Sequence, residues 1–300
     1  MDYPLVWAEI DLKAIAQNVR ELRRITNLDS RLMAVVKANG YGHGAVEVAR
    51  TSLDSGADAL GVARIDEGIE LRKAGFGVPI LLFGYTPPVL AFQLVEFDLT
   101  QTVYSLDTAE ALSRMAVSTG KKIKVHLKMD TGMGRLGVVL GRSRRITSGR
   151  NSGNSPIREV EAIVRLSGLE VEGIYTHFAT ADSSDKSYAK HQLELFVGFI
   201  ERLRVAGLEF SVKHAANSAA LIDMPESHFD MVRPGISIYG LYPSEEVNKA
   251  RVRLKPAMAL KAKVIHLKNV PAGFKVSYGR TYETEKPTTI ATVPIGYADG

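Results

Sequence analysis

The chain has 300 residues, 45% of them hydrophobic and 24% charged, with a formal net charge of +5 and no cysteine. That length and apolar fraction describe a soluble globular protein with ample core, long enough for a barrel domain and part of a second. Lack of cysteine excludes disulfides, thiolate zinc sites and a cysteine nucleophile. The N-terminus MDYPLVWAEIDLKAIA lacks the basic head and unbroken apolar centre of a signal peptide, so a cytoplasmic protein without a membrane segment is expected.

In chain order, a helix is predicted over Asp11–Ile25, after which short apolar runs alternate with longer amphipathic stretches. The strands are Leu32–Val36, Ala59–Ala63, Pro79–Phe83, Thr100–Tyr104, Ile123–Lys128, Gly173–His177, Phe210–His214 and Asp230–Val232. Between them lie helices at Ala45–Leu53, Asp66–Lys73, Pro88–Val95, Asp107–Thr119, Ile157–Leu166, Tyr188–Ala206 and Ser218–Ile222. Gly56, Gly75, Gly120, Gly168 and Gly207 stand where C-terminal caps are needed. This alternation predicts an α/β fold, a (βα)8 TIM-type barrel. An open doubly wound sheet competes, but no G-x-G-x-x-G follows the first predicted strand. The run GRSRRITSGRNSGNS, Gly141–Ser155, reads as a solvated surface insertion; it has no interleaved aromatic residues for stacking bases, and no nucleic-acid partner is expected.

Beyond Gly240 the pattern becomes PAMALKAKVIHLKNV, FKVSYGRTY and TTIATVPIGYADG, a partial C-terminal all-β domain. Two domains follow, a barrel over 1–240, with its first strand expected to pair with the β domain, and the β domain over 241–300. The β module looks unfinished at Gly300, and a truncated chain is expected.

Chemistry-bearing residues fall at the carboxyl ends of the predicted strands, where barrel sites form. Lys37 and Tyr41 follow the first in AVVKANGYGHG, and Arg135 follows the fifth in DTGMGRLG. His177 closes the sixth, Asn217 and Ser218 open the helix after the seventh, and Arg233 follows the eighth in RPGISIYG. A partly desolvated Lys37 would be a usable nucleophile toward an aldehyde cofactor, although a lysine after a strand otherwise snorkels to water. Ser218, Gly235 and Ile236 are placed to bind phosphate with backbone and side-chain donors. His43, His126, His177, His191, His214, His228 and His266 show no ligand spacing, so no metal is expected and most are read as structural or exposed.

Together, AVVKANGYGHG, DTGMGRLG, THFA, AANSAA, VRPGISIYG, VSYGRTY and PIGYADG closely resemble the bacterial alanine racemase family over essentially the whole chain. The resemblance implies a pyridoxal 5'-phosphate barrel with a C-terminal β domain, working as a head-to-tail homodimer with shared sites that interconverts L- and D-alanine for peptidoglycan. Lys37 would hold the cofactor as a Schiff base and act on one face of the substrate α-carbon, with Tyr278 of the partner subunit on the other. Two opposed acid/base groups are what racemisation through a planar carbanion requires. Arg233 would face the pyridine nitrogen and disfavour its protonation, because a guanidinium cannot accept a hydrogen bond. Arg135 would approach the cofactor's phenolic oxygen and the substrate, Tyr41 and Ser218 the phosphate, and Tyr297 the substrate. His177 beside Arg233 resembles a relay to the tyrosine, and a carbamylated Lys128 would orient Arg135. Unaided, Tyr278 reads as a strand tyrosine and Lys128 as an ordinary cation near Asp130. A non-catalytic pyridoxal-phosphate carrier and a racemase of another small amino acid such as serine are the alternatives. A related decarboxylase would need a cysteine that is absent.

Overall fold

The computed structural model describes residues 4–140 and 155–299, in two compact units: Leu12–Ala257, and Met1–Asp11 with Met258–Gly300. The arginine-bearing segment 141–154 and Gly300 lie outside the described residues.

The chain opens with β1 (Val6–Ile10), followed by the helix Leu12–Ile25. Ile15, Val19 and Leu22 recur at helical spacing and are fully buried, while Arg23 and Arg24 occupy the last turn, where a cation meets the negative end of the helix dipole. Next come β2 (Arg31–Val35), β3 (Ala59–Val62), β4 (Ile80–Leu82), β5 (Thr100–Val103), β6 (Ile123–Asp130), the two-residue β7 (Val138–Val139), β8 (Leu169–Tyr175), β9 (Val212–His214) and β10 (Met231–Val232). The eight long-range strands run parallel in the order β5-β4-β3-β2-β10-β9-β8-β6, and the β5–β6 pairing closes the barrel. β7 only widens its rim, pairing Met129 with Val138. Each predicted barrel strand is present. Strands such as β2 (RLMAV), β3 (ALGV) and β4 (ILL) were legible because a strand covered on both faces is largely apolar, although β5 (TQTV) buries Thr100, Gln101 and Thr102.

Met33, Ala59, Leu81, Val212 and Met231 form a cluster of their own, and the larger core lies between strands and helices. One cap was misread. Gly56, Gly75, Gly120 and Gly207 take positive φ, as caps do, but Gly168 does not. A side chain there would meet the Ser113 backbone oxygen at 2.3 Å, so Gly168 is required by close approach of the chain. Residues 241–257 pack on the barrel: buried Asn18 donates to Ile238 O and Lys255 O (3.0 and 2.8 Å) and accepts from Lys255 N (2.8 Å).

In the other unit β1 pairs antiparallel with β11 (Met258–Ala262), Ala8 opposite Leu260. β12 (His266–Val270) pairs with β15 (Thr288–Thr292), and β13 (Lys275–Val276) with β14 (Tyr282–Glu283). The short β13–β14 ladder carries Tyr278 at its turn.

Candidate active site

The carboxyl ends of the barrel strands surround a cavity of about 620 Å³. Lys37, Tyr41, Lys128, Arg135, His177, Asn217, Ser218, Arg233, Gly235 and Ile236 all line it, so the fold gathers every barrel residue singled out from sequence. Tyr278 and Tyr297 belong to the other unit, where they are 91% and 94% exposed.

Lys37 leaves β2 and enters one helical turn, Lys37–Tyr41, whose Ala38, Asn39 and Gly40 have left-handed dihedrals (φ 52, 52 and 61°). Such geometry costs an alanine or asparagine roughly 1–2 kcal/mol, so the surroundings must hold it. Glu67 does so, accepting from Ala38 N at 2.6 Å while its other oxygen accepts from Ala63 N and Arg64 N at 2.7 and 3.0 Å. Asn39 Oδ1 accepts from Ala45 N at 2.9 Å. Burial first, and the Arg135 cation second, lower the Lys37 pKa, with Glu67 opposing. The fold thereby makes its neutral amine more accessible.

An anion cradle lies on the β9–β10 side. Asn217 caps the helix Ser218–Asp223, its Oδ1 accepting from Ala220 N at 3.0 Å, while the N–H groups of Ser218 and Ala219, which begin the helix, have no intrahelical acceptor. The N–H of Ile236 likewise opens the 3-10 turn Ile236–Tyr239. Ser218 Oγ accepts from Gly235 N at 2.9 Å, and a side chain at Gly235 would come within 2.8 Å of Tyr41 Oη. Gly235 is therefore what lets the phenol approach this backbone. Tyr41 packs on Tyr239 (4.8 Å between ring centroids), which donates to Val35 O at 3.0 Å, and burial raises the Tyr41 pKa, keeping it a hydroxyl donor. Backbone donors, two hydroxyls and missing side-chain bulk fit a phosphate.

Arg233, 4% exposed, is held on several sides. Its Nη1 donates to His214 Nδ1 at 2.8 Å, and its Nη2 approaches Thr176 O at 2.8 Å, Ala215 O at 3.1 Å and His177 Nδ1 at 3.2 Å. Burial lowers its pKa to about 10, which leaves it a cation at neutral pH. His177 falls well below the usual imidazole range through burial and then Arg233, so it is neutral. Lys128, 4% exposed, is brought down to about 8 by burial, then by Arg135 and Arg233, with Asp130 opposing.

Sequence reasoning missed three contributors. Tyr175 lines the cavity, stacks on His214 (4.6 Å, 8°) and lies 5.1 Å from the Arg233 guanidinium carbon; a tyrosine ending an apolar strand reads as core. Glu67 and His214 meet their partners only through the fold, with no local spacing to betray them.

The family described as alanine racemase, N-terminal domain, matches residues 10–243, and the alanine racemase C-terminal domain matches residues 257–300. The alanine racemase of Desulfosudis oleivorans is 54% identical over 295 residues, covering 98% of this chain and 74% of that protein. That of Methanococcus maripaludis is 52% identical, with 98% and 76% covered. A solved alanine racemase of Clostridium difficile 630 superposes with a TM-score of 0.90 at 41% identity, covering all of this chain and 75% of that one. With its barrel, its cationic strand-end cavity and both domain matches in place, the chain belongs to the alanine racemase family.

Proposed function

We propose that this protein interconverts L- and D-alanine by a two-base mechanism dependent on pyridoxal 5'-phosphate, the cofactor on which the family depends. The observation that carries the reading is a half-buried, pKa-lowered Lys37 amine sharing one cavity with a phosphate-shaped cradle and a buried arginine rather than a carboxylate. Lys37 would hold the cofactor covalently, Tyr41, Asn217, Ser218, Gly235 and Ile236 its phosphate end, and Arg233 its ring nitrogen. When bound, the cofactor supplies the electron sink that lets an amino-acid α-proton leave.

Lys37 Nζ takes or returns that proton on one face of the substrate. The phenol of Tyr278 of the partner subunit serves the opposite face, in a homodimer whose sites are shared. Arg233, tied to four acceptors, keeps a fixed positive charge and donates only, which restrains charge delocalisation and limits side reactions. His177 Nδ1 accepts from Arg233, so its proton sits on Nε2, available to a phenolate in the cavity. Arg135, and Tyr297 of the partner subunit, would bind the substrate. Among the described residues no helix is long and apolar enough to cross a membrane, and a cytoplasmic source of D-alanine for peptidoglycan is the setting we assign. A carrier role fits less well, because storage requires neither a second acid/base residue nor a β domain.

Borohydride treatment of the purified holoprotein followed by peptide mapping should place the reduced pyridoxyl mass on Lys37, and L-alanine should yield D-alanine. A label on another lysine, or one retained by Lys37→Ala, would refute the assignment.

A further inference from the structure

Beneath Arg233 runs a chain of groups that the reaction itself does not use. His214 Nε2 lies 2.8 Å from His126 Nδ1, and His214 Nδ1 lies 2.8 Å from Arg233 Nη1. Both imidazoles are buried, 0% and 6% exposed. The barrel is shaped around them: the β6–β8 register shifts between Val125 and His126, and a side chain at Gly173 would come within 2.8 Å of the His126 ring. Tyr175 stacks on His214 from the cavity side.

The direction of these bonds follows from donor counting. Arginine only donates, so His214 Nδ1 is a bare acceptor and the proton of a neutral His214 sits on Nε2. That proton is then given to His126 Nδ1, which places the His126 proton on Nε2. His126 lines a second cavity, of about 300 Å³, beside Arg31, Glu170 and Glu172. Its other walls include Ala59, Thr100, Val212 and Met231, at the N-terminal ends of the barrel strands, opposite the active site. Burial and the cations Arg31 and Arg233 hold both imidazoles neutral, His126 at about 3 and His214 well below its usual value.

We propose that His214 and His126 are positioning residues for the cofactor site, a one-way chain from Arg233 through His214 to His126 that orients the guanidinium from the far end of the barrel. The proposal rests on Arg233 being the group that faces the cofactor ring. It gives His126 a role across the barrel although it lines the opposite cavity. Losing its acceptor would strand the His214 Nε2–H and free His214 to invert, turning a donor toward Arg233.

Histidine-selective 15N spectra of the cofactor-free protein test the polarity directly. His214 and His126 should each appear at neutral pH as the Nε2–H tautomer with unprotonated Nδ1. An Nδ1–H tautomer or an imidazolium at either position overturns the proposal, whatever the variants do. In the holoenzyme, His126→Leu should lower kcat and cofactor affinity about tenfold with little change in KM, as losses of outer supporting groups do. His126→Asn keeps an acceptor oxygen near the Nδ1 position and should stay within about threefold of wild type. Equal losses in the two variants, or no loss in His126→Leu, would mean that the pair merely fills space and would end the proposal. A missing borohydride label on Lys37 would instead overturn the cofactor reading, while the cofactor-free spectra still decide the chain.

Discussion

Lys128 is a cation that its surroundings do not want. Burial foremost, with Arg135 and Arg233 beside it, brings its pKa to about 8. A lowered amine pKa means that the neutral form grows as pH rises through that value, and only the neutral amine adds carbon dioxide. Carbamylation would exchange a charge that repels Arg135 for one that attracts it, and the carbamate is then stabilised by the same cations that depressed the amine. With 13C-bicarbonate the protein should show a carbamate carbon signal that strengthens from pH 7 to 9 and disappears in Lys128→Ala. Absence of the signal across that range would leave Lys128 as an unmodified amine that loses its proton as the pH passes about 8. The pairing was suggested in the sequence only through the family resemblance, because Lys128 and Arg135 lie on β6 and the loop after it, and nothing local indicates that Arg233 joins them.

The turn after β2 shows what an element must do to present one side chain. Ala38, Asn39 and Tyr41 all hold φ of 52°, which non-glycine residues resist. Glu67, which helps cap the helix Ile65–Lys73, spans from that helix to the strained turn with three backbone hydrogen bonds. Glu67→Ala should therefore cost about 1–3 kcal/mol in urea unfolding and lower kcat more than KM, because it loosens the base rather than the pocket. An unchanged kcat would mean that the turn holds itself. The barrel strands and the glycine that lets Tyr41 approach were readable, since apolar runs and strand-end glycines are local signals. Glu67, 29 residues from Ala38, and the His126–His214 pair, 88 residues apart, were not, since their meaning arises only when the barrel closes. Gly168 marks the boundary between the two cases: a glycine after a helix was visible, but whether it serves a left-handed cap or a close contact depends on Ser113.

At the scale of the whole molecule, the chain separates its two proposed acid/base groups between two compact units, Lys37 in the barrel and Tyr278 in the β unit. Tyr278 is 91% exposed, and Ser277 and Arg280 near it adopt φ of 63 and 52°. A large exposed aromatic side chain held on a strained turn costs stability and is worth keeping only if it meets something. In a twofold dimer each subunit's Tyr278 would meet the other's barrel, and the reciprocity of twofold symmetry makes that arrangement testable by mixing. Lys37→Ala and Tyr278→Phe homodimers should each be nearly inactive, because each lacks one group at both sites. In a mixed dimer, one site combines both defects and the other is wild type. Random reassociation makes half the dimers mixed, each with one of two sites intact, so co-refolded protein should regain about a quarter of wild-type racemase activity. If Tyr278 served its own chain's barrel, every site in the mixture would carry one defect and no activity would return. Recovery near a quarter, measured as D-alanine formed from L-alanine, would place the second base on the partner subunit, and a flat result would return it to the same chain.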